Sequence, residues 1–120
     1  MTIEELIARV LFARNIAHIS HWQATGVGSY ARHAALDEFY TNVLSALDTL
    51  VEGYQGKFGI IGNIGEPATA ADEIDEIIQE DIAWIEGNRS LCKGITALEN
   101  LLDGISDVYL KASYKLTNLE

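Results

Sequence analysis

The chain has 120 residues, the size of one domain, and 48% of them are hydrophobic, enough for a packed core. Eight lysines and arginines stand against 18 aspartates and glutamates, a formal net charge of −10 with no basic run. That balance excludes bulk electrostatic binding to phosphate backbones, so duplex DNA is not an expected partner, while it favours attraction of cations.

Residues 2–24 read as a first helix. Thr2 is placed to cap it, with Glu5 three residues on as the partner of a capping box. Leu6, Val10, Ile16 and Ile19 with their neighbours form a broad apolar stripe, and TGVGS at 25–29 breaks the helix. A second helix runs from about Tyr30 to Tyr54, where Leu36, Tyr40, Val43, Leu47, Leu50 and Tyr54 recur at helical spacing. Residues 55–69, QGKFGIIGNIGEPAT, form a long glycine-punctuated connection. Phe58, Ile60, Ile61 and Ile64 are too apolar for a freely solvated loop, so this segment is expected to pack on something, a partner subunit included.

Helical spacing resumes from Ala70 with Ile74, Ile77, Ile78, Ile82 and Ile85. Gly87-Asn88 is a kink or an end, and the stripe returns at Leu91, Ile95, Leu98 and Leu102. Gly104 permits a turn, and Ser106 then caps a short last helix with Val108, Leu110, Tyr114 and Leu116 as its apolar positions. The expected fold is all-α in a single domain spanning 1–120: a ferritin-like four-helix bundle with a long middle crossover and a short last helix.

The start, MTIEELIARVLFARN, lacks the pattern of a secretory signal, and no apolar run approaches the ~20 residues of a membrane helix. Cys92 is the single cysteine, read as a small buried hydrophobe. The expected setting is a reducing cytosol, bacterial or that of a phage-infected host, without membrane attachment.

One polar pattern needs more than a solvated surface. On the second helix, at 100° per residue, setting His33 to roughly 0° puts Asp37 near 40°, Asp48 near 60° and Glu52 near 100°, while the core residues cluster around roughly 300°. All four potential metal ligands share one stripe flanking the core face, in two i,i+4 pairs each able to reach one ion. From Asp37 to Asp48 is about 16 Å along the axis, which one ion cannot bridge. A second copy packed antiparallel about a two-fold axis brings His33 and Asp37 of one chain to Asp48 and Glu52 of the other, and makes two identical sites. His18 and His21 lie at the end of the first helix with Trp22 beside them, and the short TGVGS link brings them towards His33. Imidazole with carboxylate favours a borderline cation such as iron. Zinc-finger and His-Glu-x-x-His patterns, phosphate loops and the nucleophile elbow are absent, as are the Glu-x-x-His pairs of ordinary di-iron bundles.

The stretch HWQATGVGSYARHAALDEFY, continuing TNVLSALDTLVE, resembles the Dps-type mini-ferritins, the DNA-binding proteins from starved cells. His21-Trp22, Gly26, His33, Asp37, Tyr40, Asp48 and Glu52 stand at the spacings of that family. The resemblance is strong over about 15–54 and elsewhere rests on helix pattern. It implies a two-fold homodimer and a dodecameric cage, with ferroxidase sites at the two-fold interfaces. His21, His33 and Asp37 would come from one subunit and Asp48 and Glu52 from its partner. It implies oxidation of Fe(II) by hydrogen peroxide or oxygen at a di-iron or mono-iron site, and storage of ferric mineral. Trp22 would sit beside the iron as an electron donor that limits hydroxyl-radical release, or serve as a core or interface aromatic. The departures are a chain shorter than usual, with the loss expected in the last helix at about 106–119, Gly53 where the family has arginine, and no basic tail. Two other readings stay open: a non-catalytic helical protein that binds a partner through its acidic face, and a zinc or manganese protein using the same ligands without redox turnover.

Overall fold

The computed structural model describes residues 2–120. Helix α1 spans Ile3–Gln23 and begins as its capping chemistry dictates. Thr2 is extended, and its hydroxyl accepts the Glu5 N–H at 3.2 Å, satisfying one donor of the open first turn. Glu4 and Glu5 put negative charge at the positive end of the helix dipole. The buried face is Ile3, Leu6, Ile7, Val10, Ala13 and Ala17, whereas Ile19, expected in the stripe, is exposed.

Helix α2 spans Ser29–Phe58, longer than its expected end at Tyr54, with Gly53 and Gly56 inside it. A glycine costs about 1 kcal/mol in a helix interior. Leu36, Val43, Leu47 and Leu50 are buried, and beyond them the half-buried Val51 and Tyr54 still pack on the core alongside the two glycines. Gly53 also has a packing reason, since a Cβ there would stand 3.2 Å from Leu101 Cδ1 and 3.4 Å from Leu98 Cδ2 on the last helix.

Helix α3 spans Ile74–Gly87, starting after the expected Ala70. A single 3-10 turn follows at Arg89–Cys92, and then Lys93 and Gly94, both with positive φ, reverse the chain. Helix α4 spans Thr96–Asn118 without a break. Helix α3 thus ends at Gly87-Asn88, one of the two outcomes expected there, while the turn expected at Gly104 does not form and the last helix is long rather than short. Leu98, Leu102, Ile105, Tyr109 and Ala112 make one continuous buried stripe through Gly104 and past Ser106. Leu110 and Tyr114, expected in the core, are exposed. The shortening expected in the last helix accordingly does not fall there.

Long-range bonds give the helix directions. His21 beside His33 makes α1 and α2 antiparallel. Lys115 pairs with Glu38, and Gln79 bonds Ser113, so α4 runs against both α2 and α3. Arg32 pairs with Asp75, so α2 and α3 start at the same end and run parallel. α1 and α4 each pack on both α2 and α3, which leaves α2 and α3 facing across the body. A parallel pair cannot be joined by a tight turn, and residues 59–73 make the crossing. Gly62 N–H donates to the Glu4 carboxylate at 2.9 Å and holds that group below the usual carboxylate range. Of the apolar crossover residues, Ile61 packs on the core, while Ile60 and Ile64 are exposed. The result is an all-helical body of 47 × 25 × 21 Å, and among the described residues no helix is long and apolar enough to cross a membrane.

Candidate metal centre

The corner between α1 and α2 is built by Gly26 and Gly28, at φ of 95° and 79°, which turn the chain back within five residues of helix end. The turn lays the last α1 residues against the first turns of α2. His21 Nδ1 lies 2.7 Å from the His33 carbonyl oxygen, and His33 Nδ1 lies 2.9 Å from that of His21. A carbonyl only accepts, so each Nδ1 carries its proton and donates it. In the neutral rings this leaves Nε2 of both histidines with a free lone pair, the state in which a second-shell carbonyl prepares imidazole for a metal. The rings stack at 3.6 Å with 21° between their planes.

His18 belongs to the same assembly by stacking. Its ring lies 4.1 Å from Tyr40 and 4.3 Å from Trp22, and Tyr40 meets His21 edge-on at 5.4 Å. Trp22 is 68% exposed, so it is neither a core aromatic nor covered within its own chain. Asp37 is exposed one turn beyond His33, with the Thr41 hydroxyl 3.4 Å from its carboxylate. Asp48 and Glu52 are exposed farther along the same helix. The fold thus joins His21 to His33 and leaves Asp37 adjacent, but does not bring Asp48 or Glu52 to them. Among the described residues, no three His, Cys, Asp or Glu side chains of one chain are grouped to hold a metal ion.

The interior carries a second charged cluster that periodicity did not flag. Asp81 is buried at mid-height, accepting from Arg9 at 3.1 Å and from the Tyr109 hydroxyl at 2.7 Å. Arg9 also donates to the Ala68 carbonyl and lies over the Trp84 ring at 5.0 Å. Removal from water pushes Asp81 up to about 6, against the lowering effect of its two donors. Burial likewise drives the Tyr109 phenol well above its ordinary value. The signal was present in the sequence: Asp81 occupies an inward position between Ile78 and Ile85, where an aspartate must be paired. Cys92 is buried, as expected, and burial raises its thiol.

The sequence pattern of a family described as "Family of unknown function (DUF5856)" matches residues 21–116, from the first histidine of the locked pair to near the end of α4. The chain is also 34% identical over 86 residues to a protein of Haemophilus influenzae that is described as uncharacterized. That stretch is 69% of this chain and 49% of the relative, so the chain spans about half of its length. No solved structure matches.

Proposed function

We propose that this chain, which belongs to the DUF5856 family, is an iron-binding ferroxidase of ferritin-like build whose sites are completed between two copies. The observation that carries the reading is the reciprocal lock of His21 and His33, which holds two imidazoles by their Nδ1 atoms on the side of Asp37. Holding both Nδ1 protons on backbone carbonyls spends no side-chain partner and keeps both Nε2 atoms open, a geometry with little purpose in a solvated corner.

The missing donors are supplied by symmetry. His33 and Glu52 lie equally far from a point of α2 midway between Asn42 and Val43, and so do Asp37 and Asp48. An antiparallel α2–α2 contact centred there sets His33 against the partner's Glu52 and Asp37 against the partner's Asp48. Two facing carboxylates on chains of formal charge −10 repel unless a cation lies between them, so the contact needs a cation as much as it offers a site. Imidazole and carboxylate oxygen suit Fe(II) as substrate, with zinc and manganese as competitors for the same donors. Two ferrous ions give one electron each to peroxide, which takes up two protons and leaves as two waters. Trp22, exposed beside His21, is placed to donate an electron to a stray one-electron oxidant. Ferric storage and a dodecameric shell are the larger assembly that this reading implies.

The test is Fe(II) oxidation by peroxide, with stopped-flow absorbance as readout. His33→Ala, Asp48→Ala and Glu52→Ala each abolish the fast phase. A mixture of His33→Ala/Asp37→Ala with Asp48→Ala/Glu52→Ala recovers a substantial part of it, since in a heterodimer one of the two sites inherits all four lesions and the other none. Unchanged rates in the three single variants sink the reading. A heterodimer that stays inactive removes the shared site.

A further inference from the structure

The crossover between α2 and α3 holds to the body differently from the helices it joins. None of residues 60–70 is buried, and only Ile61, Pro67 and Thr69 are half-buried. Its attachment is polar. At the α2 end the Gln55 side-chain carbonyl accepts the Ile61 N–H at 3.2 Å, and the Glu4 carboxylate accepts the Gly62 N–H at 2.9 Å. At the α3 end the Thr69 hydroxyl donates to Glu80 at 2.7 Å and accepts the Ala71 N–H at 3.2 Å. Between these ends Arg9 donates to the Ala68 carbonyl at 3.1 Å. The cover is not packed tight, since a cavity of about 100 Å³ lies between residues 66–68 and Glu5, Ala8, Arg9 and Trp84. A segment with little buried apolar surface and exposed hydrogen bonds is where a fold opens locally before it opens as a whole.

Both borders of the segment are fixed. Gly59, at φ 92°, closes α2, and Ala71 is buried just ahead of α3. One side chain, Arg9, reaches both the segment and the interior. Its Nη2 is on the Ala68 carbonyl, and its Nη1 is on the Asp81 carboxylate, whose other oxygen accepts from Tyr109. Lifting the segment uncovers that guanidinium and brings water towards the carboxylate behind it. From this geometry we infer that residues 60–70 are a strap that lifts from α1 and α3 as one piece, between Gly59 and Ala71, with Arg9 as the latch that couples its opening to the buried Asp81–Tyr109 pair. The device stands apart from the candidate metal centre, since Arg9 lies about 18 Å before His21 along α1.

The coupling gives the strap a pH dependence. The charged and titratable groups about Asp81 are Arg9 from α1, Glu80 beside it on α3 and Tyr109 from α4, and Glu5 and Glu66 line the cavity next to Arg9. Burial outweighs the two donors and raises Asp81 to about 6. An open strap admits water and returns the group towards its ordinary 3.8. The closed strap therefore binds the proton more tightly, and opening increases as pH rises from 5 to 7.5. Glu4 acts in the opposite sense, because the Gly62 N–H holds it below its ordinary 4.5, but its range lies below that interval.

The experiment is residue-resolved amide hydrogen exchange by NMR on the full chain, with rates corrected for the intrinsic pH dependence of exchange. The N–H groups of Gly62, Thr69 and Ala71 follow the strap, and those of Leu102 and Ile105 in the buried face of α4 follow global unfolding. The three strap amides exchange together and faster than the two in α4. Thr69→Ala, which removes the tether to Glu80, speeds exchange at Gly62 at the opposite end by about three- to tenfold, with circular dichroism unchanged. Glu4→Ala does the same at Thr69. Between pH 5 and 7.5 the opening constant rises by about tenfold in the parent and stays level in Asp81→Asn. Tyr109→Phe, which takes away one of the donors that lower Asp81, moves the rise to higher pH and serves if the Asn variant does not fold. Strap amides that exchange only at the rate of α4 overturn the local opening. A Gly62 rate untouched by Thr69→Ala overturns the single piece. A rise with pH that is equal in the parent, Asp81→Asn and Tyr109→Phe overturns the latch.

Discussion

Asp37 on the outer stripe of α2 and Asp81 at the centre of the bundle are the same residue in opposite situations. Asp81 is buried with Arg9 and the Tyr109 hydroxyl on its two oxygens, and α1, α3 and α4 meet through it. Asp37 is exposed beside a histidine pair whose own polar needs are met by backbone. A buried charge is tolerated only when its partners lie within the same fold, so the inner cluster is complete. An exposed charge costs little by itself, so the outer cluster is free to remain incomplete until an ion and a second chain arrive. The contrast separates what holds this protein together from what it uses.

The largest expected effect breaks the inner cluster. Asp81→Ala leaves Arg9 without its carboxylate in a nearly dry setting, and urea unfolding should show a loss of roughly 3–5 kcal/mol. Asp37→Ala and Asp48→Ala should stay within about 0.5 kcal/mol of the parent, since both are exposed. Similar losses at all three positions would erase the distinction between the clusters.

A smaller effect sharpens it by pH. The folded Asp81 carboxyl sits at about 6, above its ordinary 3.8. A carboxyl raised in the folded state favours folding while protonated, so its contribution is greatest below about 4 and is lost as pH rises through about 6. The stability difference between the parent and Asp81→Asn should therefore shift against the parent by about 2–3 kcal/mol between those limits. A difference independent of pH would show that Arg9 and Tyr109 hold Asp81 ionised throughout.

The two glycines of interest should then part in sign. Gly104 has open space where a Cβ would go, so Gly104→Ala should stabilise by about 0.5–1 kcal/mol through helix propensity alone. Gly53→Ala gains the same propensity but presses on Leu101 at 3.2 Å, and should destabilise by about 1 kcal/mol or more. Thermal melts of the pair decide it. If Gly53→Ala stabilises as much as Gly104→Ala, the close approach of α2 and α4 is not a constraint.

The smallest effect is a null. A chain of formal charge −10 with no basic arm should give no shift of duplex DNA in a gel at physiological salt. A clear shift would mean that a surface feature outweighs the net charge.

The sequence by itself determined the helical class, the extent of α1 to within a residue, the start of α2, and the stripe that carries His33, Asp37, Asp48 and Glu52. These are local matters of capping, i,i+3 and i,i+4 spacing, and 100° steps, which need no knowledge of neighbours. Tertiary structure decided the rest. Gly56 and Gly104 read as breaks because propensity is local, but a continuous buried face carries α4 through Gly104, and α2 runs on past its last buried residue, Leu50, to Phe58 with Tyr54 packed on the core. Of the kink or end that Gly87-Asn88 left open, the end is what forms, because Lys93 and Gly94 reverse the chain just beyond it, which no apolar spacing records. Spacing could place His21 near His33 but not the mutual bonds to backbone carbonyls, since those depend on how a corner with two positive-φ glycines closes. Nor could it pair Arg9 with Asp81 and Tyr109, residues on three helices that meet only when the bundle has formed.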